Sequence, residues 1–258
     1  TEFERAEFNL PYNCIEVKNI GSTEYLAELY IEDDAHNIFW LDYVSPNELG
    51  TQLADYATLL NILNAGDIVR ITLNANPASL GKCDDPDALQ SFRLHRLRER
   101  VPDIYFPATA SPDEMTTQKY PVLLLKILKN ITMQVLVDEP PYNPYFMMPL
   151  FSTVYADGQQ MLTFTGIILD SHEKRNDIER ALQNYPHNTF KWDTPCQIQI
   201  PPLSVREISE INKLLPSENA RQQLIDKFPF IFSEKERQAV DSYISFYKYY
   251  PNYHQVSF

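Results

Sequence analysis

Glycine is scarce in this 258-residue chain: there are six, and none are spaced as G-x-G-x-x-G. A glycine-rich loop that wraps the phosphates of a dinucleotide or triphosphate is therefore excluded from these residues. Cysteine is scarcer still. The three present (Cys14, Cys83, Cys196) are odd in number, far apart and never in a C-x-x-C pair. That pattern excludes a disulfide framework and argues for free thiols inside a cell. The five histidines are scattered, with no H-x-x-x-H and no Ser/His/Asp grouping, which leaves zinc and hydrolase chemistry little support. Basic residues are the minority, 22 against 35 acidic, for a net charge of −13. Broad, non-specific binding to nucleic acid is not expected of such a balance. No long apolar run occurs either. The longest, "PVLLLKILKNI", carries charge and is too short to cross a bilayer. With no signal peptide at its start, the chain is expected to be cytoplasmic, soluble and free of membrane contact. It opens "TEFERAEF" without an initiator Met, which reads as a processed product or a fragment.

What is present is an ordinary globular composition, 44% apolar, long enough for one large domain or a domain with a lobe. Proline is abundant, at 19 residues, concentrated in 101–149 and 186–251, and marks many defined connections. "CIEVKN" (14–19) is a short strand by its alternation. "GSTEYLAELY" offers Ser22 or Thr23 as a helix N-cap with Glu24 in the first turn. "NIFWLDY" (37–43) is continuously apolar until Asp42, as in a strand covered on both faces. From Asn47 the period changes: Leu49, Leu53, Tyr56, Leu60 and Leu63 fall at spacings of four, three, four and three, one helical stripe ended by Asn64-Ala65-Gly66. "DIVRITLN" then gives a further strand ending at Asn74.

Strand, helix, strand, helix, strand at this interval is the βαβ rhythm of a parallel sheet. Right-handed crossovers put the C-terminal ends of the strands on one edge, where open α/β sheets bind ligands. Asp42 and Asn74 are thereby expected to share a ligand-facing rim. Downstream, 85–101 is a charged surface helix and 116–137 a more apolar one, with Pro121 near its first turn. Two apolar runs joined at Asp157-Gly158 predict an antiparallel hairpin over 145–170. After 171 the chain is polar and helical, with capping boxes at Ser204–Glu207 and Ser233–Glu236. The division expected is an α/β domain over 1–170 and a helical extension over 171–258.

The blocks "IFWLDYVSPNELGTQLADYATLLNILNAGDIVRITLNA" and "VYADGQQMLTFTGIIL" resemble the second half of class I S-adenosylmethionine-dependent methyltransferases, closest to a group of bacterial O-methyltransferases sometimes associated with anti-phage loci. The resemblance covers roughly residues 1 to 170. It implies a Rossmann-like sheet in the order 3-2-1-4-5-7-6 with strand 7 antiparallel. On that order, 14–19 resembles strand 3, 37–43 strand 4, 68–74 strand 5, and the hairpin strands 6 and 7. It also implies S-adenosylmethionine as cofactor, with Gly21, Ser22 and Thr23 near the adenine. Asp42 and Tyr43 would then face the methionine end of the cofactor and the methyl acceptor. The family's glycine loop after strand 1, and the acidic residue after strand 2, have no counterpart; strands 1 and 2 would lie before Thr1. Three alternatives stay open. The protein extends further toward its N-terminus, a partner protein or second copy fills the gap, or the topology differs.

Each site residue has a plainer reading beside the functional one. Asp42 either aims or deprotonates the acceptor hydroxyl, or caps the helix after Ser45-Pro46. In some related enzymes the end of strand 4 carries Asp and the end of strand 5 an Asp-Asn pair around Mg²⁺. Here Asn74-Ala75-Asn76 supplies two neutral amides, and Asx turns before Pro77 suit those residues better. No metal is therefore assigned. Tyr43, Asn74 and Asn76 line the acceptor pocket, or Tyr43 is a half-buried aromatic at a strand end. "RLHRLRER" (93–100) suits a phosphate, yet the acidic "DDPD" at the other end of its helix favours a solvated face. "FYKYYPNYHQ" is expected to dock the C-terminus onto the body. Two functions follow: methyl transfer to an oxygen or nitrogen of an undefined small or macromolecular acceptor, or an inactive methyltransferase-like subunit of a larger complex, such as one in phage defence.

Overall fold

The computed structural model describes residues 1–32, 35–136, 145–185, 187–198, 203–228 and 234–249. In chain order the elements are α1 (Glu2–Phe8), α2 (Ser22–Glu28), β1 (Ile38–Asp42), α3 (Leu49–Leu60), β2 (Ile68–Asn74), α4 (Leu89–Arg98), α5 (Tyr120–Val135), β3 (Phe146–Asp157), β4 (Gln159–Leu169), α6 (His172–Leu182), β5 (Cys196–Gln197), α7 (Val205–Asn212), α8 (Ala220–Lys227) and α9 (Glu234–Phe246). The sheet has five strands in the order β1-β2-β4-β3-β5. β1 and β2 are parallel, joined through α3, and β4 runs antiparallel to β2. The run β1-β2-β4-β3 is the 4-5-7-6 half of the expected order, with the expected strand reversed. The fold is α/β, with the Rossmann-like sheet that the resemblance implies.

The helical stripe forms as its period predicts as far as Leu60, where α3 ends with Asn61 as its C-cap, short of the expected stop at Asn64-Ala65-Gly66. Leu49, Leu53, Tyr56, Leu60 and Leu63 are all buried, against Leu123, Leu124, Ile127 and Leu128 of α5 and Val69, Ile71 and Leu73 of β2 in the same core. Burying a side chain of this size contributes about 1.5–3 kcal/mol, so this layer fixes how α3 lies on the sheet. The one hydroxyl in the stripe is satisfied: Tyr56 shares a 2.9 Å hydrogen bond with the Thr132 hydroxyl on α5. Pro121 sits in the first turn of α5, where its missing N–H costs nothing. The hairpin turns at Gly158, whose φ of +73° favours glycine.

Two local expectations fail. Residues 14–19 form no strand: the segment is irregular and mostly exposed, and no strand lies next to it in the sheet. Alternation makes a stretch fit for a strand, but a strand exists only where a ladder partner takes its backbone hydrogen bonds. Nor do Ser22 and Thr23 cap α2. Gly21 is the N-cap, and both hydroxyls bond instead to a residue on α3. Among the described residues no helix is long and apolar enough to cross a membrane. The three cysteines are free thiols.

The chain divides into two compact units, Thr1–Val154 with Gln159–Cys196, and Tyr155–Gly158 with Gln197–Phe258. The second has its own core of Ile211, Leu224, Phe228, Val240 and Tyr243. Its α7 opens with the expected capping box, Ser204 Oγ accepting from Glu207 N and Glu207 Oε2 accepting from Ser204 N at 2.6 Å. Arg221 grips Asp241 with two hydrogen bonds of 2.7 and 2.9 Å, tying α8 to α9. Ser233 of the other capping box, and residues 250–255 of the tyrosine-rich tail, lie outside the described residues.

Candidate functional site

The rim is built by strand register. Asp42 is paired with Thr72 on parallel β2, so Asn74 stands two residues further along at the same, C-terminal end. The two residues therefore share one edge of the sheet, as the sequence pattern requires. Their surroundings differ. Asp42 is exposed and its carboxylate makes no hydrogen bond to any described residue. It caps no helix: the N-caps of the turn Pro46–Glu48 and of α3 are Ser45 and Glu48, without side-chain capping bonds. Asn74 is buried, and its Oδ1 accepts from the Asn76 backbone N–H at 3.1 Å. Asn76 in turn accepts from Ala78 N–H at 3.0 Å and donates to Gln159 Oε1 at 2.9 Å. Both asparagines shape the Asx turns that carry the chain off β2 into Pro77. Among the described residues no group of three or more His, Cys, Asp or Glu side chains is placed to hold a metal ion.

Beside this rim lies a buried carboxylate that the sequence pattern did not single out. Asp55 on α3 is 2% exposed. Its Oδ2 accepts from the Ser22 hydroxyl and from the Tyr43 phenol, each at 2.7 Å, and its Oδ1 accepts from the Thr23 hydroxyl at 2.8 Å. Burying a carboxylate is costly without such donors, and three charge-assisted bonds offset that cost. Three residues expected at the site thus meet on one side chain. Burial raises the Tyr43 phenol above its ordinary pKa. The Ser22 hydroxyl pulls the other way, and the negative Asp55 adds to the rise. The phenol therefore stays protonated at neutral pH, a hydrogen-bond donor and no base. Lys18 and Ile20 before α2, with Ser22 and Tyr25 in its first turns, border a hollow of about 450 Å³. Lys18 Nζ stands 5.2 Å from the Tyr25 ring centre. Gly21 opens α2 here, and a Cβ on it would meet nothing within 4 Å.

On the sheet face that carries Asp42, the Trp40 indole N–H donates to Thr72 Oγ1 at 3.1 Å, and Arg70 lies over the indole ring at 4.4 Å. Thr72 shares a 3.3 Å hydrogen bond with the Thr163 hydroxyl on β4. Trp40 keeps 57% of its surface exposed, so an aromatic face stands two residues from Asp42. The arginine-rich segment is mostly committed to structure. Arg98 packs over Phe106 at 4.5 Å, Arg100 donates to the Pro46 carbonyl at 2.8 Å, and Arg96 pairs with Glu99 at 2.6 Å.

The Asp55 hub could have been suspected from one signal. It lies between Leu53 and Tyr56, inside the buried arc of α3, and no Lys or Arg stands anywhere in α3 to neutralise it on the surface. The hydroxyl donors themselves lie 33, 32 and 12 positions away, beyond any periodicity argument.

A comparison with curated proteins finds no match. A family model described as "Putative O-methyltransferase" matches residues 1–258. The match spans the whole chain, including the two strands that build the rim, and the chain belongs to that methyltransferase family.

Proposed function

We propose that the protein transfers a methyl group from S-adenosylmethionine to an oxygen of its acceptor, at the rim formed by β1 and β2. The observation that carries this reading is Asp42. It is an exposed carboxylate without a partner among the described residues, at the C-terminal end of a parallel strand, in a chain of this family. The bound cofactor supplies an electrophilic methyl group. Asp42 accepts the proton of the acceptor hydroxyl, or aims that hydroxyl, within hydrogen-bond reach of the strand end. Tyr43, fixed by Asp55, holds the wall next to it, and the hollow beside Gly21, Ser22 and Lys18 takes part of the cofactor. The Ser22 and Thr23 hydroxyls are engaged by Asp55, so contact there comes from the backbone and from Lys18 and Tyr25. Most of the rate enhancement is assigned to holding donor and acceptor in line, which alone removes several kcal/mol of barrier.

A second reading, a non-catalytic interaction subunit, is favoured by β1 itself. It is the outermost strand and leaves Ile38 and Trp40 76% and 57% exposed, with Val44 just beyond at 72%. Calorimetric titration of the full-length protein with S-adenosylmethionine separates the two. Saturable heat supports methyl transfer; no heat at millimolar cofactor overturns it. Asp42→Asn is expected to keep cofactor binding and lose methyl transfer.

A further inference from the structure

The connection between β2 and α5 borders an open cleft of about 470 Å³ that none of the roles above uses. Its walls include Pro77 just past the rim, Asp87, Gln90 and Arg93 around the start of α4, and Thr116 and Gln118 before α5. Small-molecule sites fall in the range of roughly 300–1,000 Å³, with a few polar groups fixing orientation. The polar groups here are specific in kind: one cation, one anion, hydroxyls and side-chain amides.

Arg93 is the arginine of its segment that structure does not use up. Arg96, Arg98 and Arg100 are held by Glu99, the Phe106 ring and the Pro46 carbonyl. Arg93 places only its Nε on a neighbour, the Gly81 carbonyl at 3.3 Å, and its two terminal nitrogens have no acceptor among the described residues. The guanidinium is thus tethered, with the edge that grips a carboxylate two-fold left open. Asp87 lines the same cleft without pairing with Arg93. Its backbone N–H donates to Asp85 Oδ1 at 2.9 Å, and its own carboxylate has no partner among the described residues. Two opposite charges that share a cleft and do not neutralise each other fit a ligand that carries both signs.

We propose that this cleft binds a small zwitterion of the α-amino-acid type, its carboxylate on Arg93 and its ammonium on Asp87. Gln90, Thr116 and Gln118 supply hydrogen bonds to the remaining polar atoms. An inorganic phosphate or a simple dicarboxylate fits less well, since Asp87 repels it.

The test is saturation-transfer NMR on the full-length protein, taking the twenty proteinogenic L-amino acids one at a time. Each one that binds is repeated as its N-acetyl and its methyl-ester derivative. At least one free amino acid is expected to bind, and both derivatives are expected to bind at least about tenfold more weakly. Arg93→Gln is expected to weaken binding by a similar factor at an unchanged melting temperature. Arg93→Lys, which keeps the charge without the fork, is expected to lie between and guards against a folding defect in the first variant. The proposal is overturned if no amino acid binds, if the N-acetyl form binds as well as the free one, or if neither Arg93 variant changes the affinity. No methyl donor enters the assay, so failure here leaves the methyl-transfer reading untouched, and the converse holds.

Discussion

The two ends of the β1-β2 pair use aspartate in opposite ways. At the end where both strands start, Asp67 is fully buried and every bond it makes is structural. Its Oδ1 accepts from the Asn37 backbone and side-chain amides at 2.7 and 3.1 Å, and its Oδ2 from Asn64 N–H at 2.8 Å. Gly66 beside it sits at φ +101°, a conformation that favours glycine. At the end where the strands finish, Asp42 stands exposed and without a partner among the described residues. A carboxylate that backbone amides satisfy spends its electrostatics on stability, whereas one left in solvent keeps its acceptor capacity for a visiting molecule. The same residue type at the two ends of this strand pair thus separates a satisfied scaffold end from an open one, which is the working end of the function proposed above.

Breaking the scaffold end should cost the most. Asp67→Ala leaves two backbone amides in a closed turn without an acceptor, and is expected to destabilise the protein by about 4 kcal/mol in urea unfolding. A loss near the size of an ordinary surface change would remove the contrast. An intermediate effect is expected at high pH. Burial raises the pKa of Tyr43, Tyr56 and Tyr120 above the ordinary phenol value. Below about pH 10 both folded and unfolded chains hold these protons, so the full stability is present. Above it the unfolded chain releases them first, and stability falls as pH rises toward the raised folded values. Tyr43→Phe should make that fall shallower by one proton, measured by denaturation between about pH 9 and 11. An unchanged slope would show that Tyr43 is not held as described. The smallest effect on stability belongs to the working end: Asp42→Ala is expected to shift unfolding by less than about 0.5 kcal/mol. A large loss there would mean that Asp42 is a scaffold residue after all.

The parts of this fold that were legible in the sequence are those that periodicity encodes. The α3 stripe, the β1–β2 parallel pair and the Gly158 hairpin each repeat a local rule over several residues, and each formed as expected. The segment 14–19 obeyed the strand rule and still formed none, because alternation says nothing about whether a partner strand is at hand. The rim was legible for the same reason as the strands, since register places Asp42 and Asn74 once the sheet is known. The two buried carboxylates were not. Asp55 and Asp67 were not singled out, because a sequence shows the charge and not the donors that fold around it. At Ser22 and Thr23 the residues expected to touch a ligand turned out to supply those donors, a trade that only tertiary contact reveals.

The chain holds two tryptophans, and they are placed very differently. Trp192 stacks on Phe164 at 4.3 Å between ring centres, while Trp40 lies open on the sheet face two residues before Asp42, with Arg70 across its ring. Intrinsic fluorescence therefore comes with a built-in reporter of the strand tip and a half-buried reference packed against the core. Anything that settles against β1 should quench or shift the emission of the first and leave the second nearly constant, with no label attached.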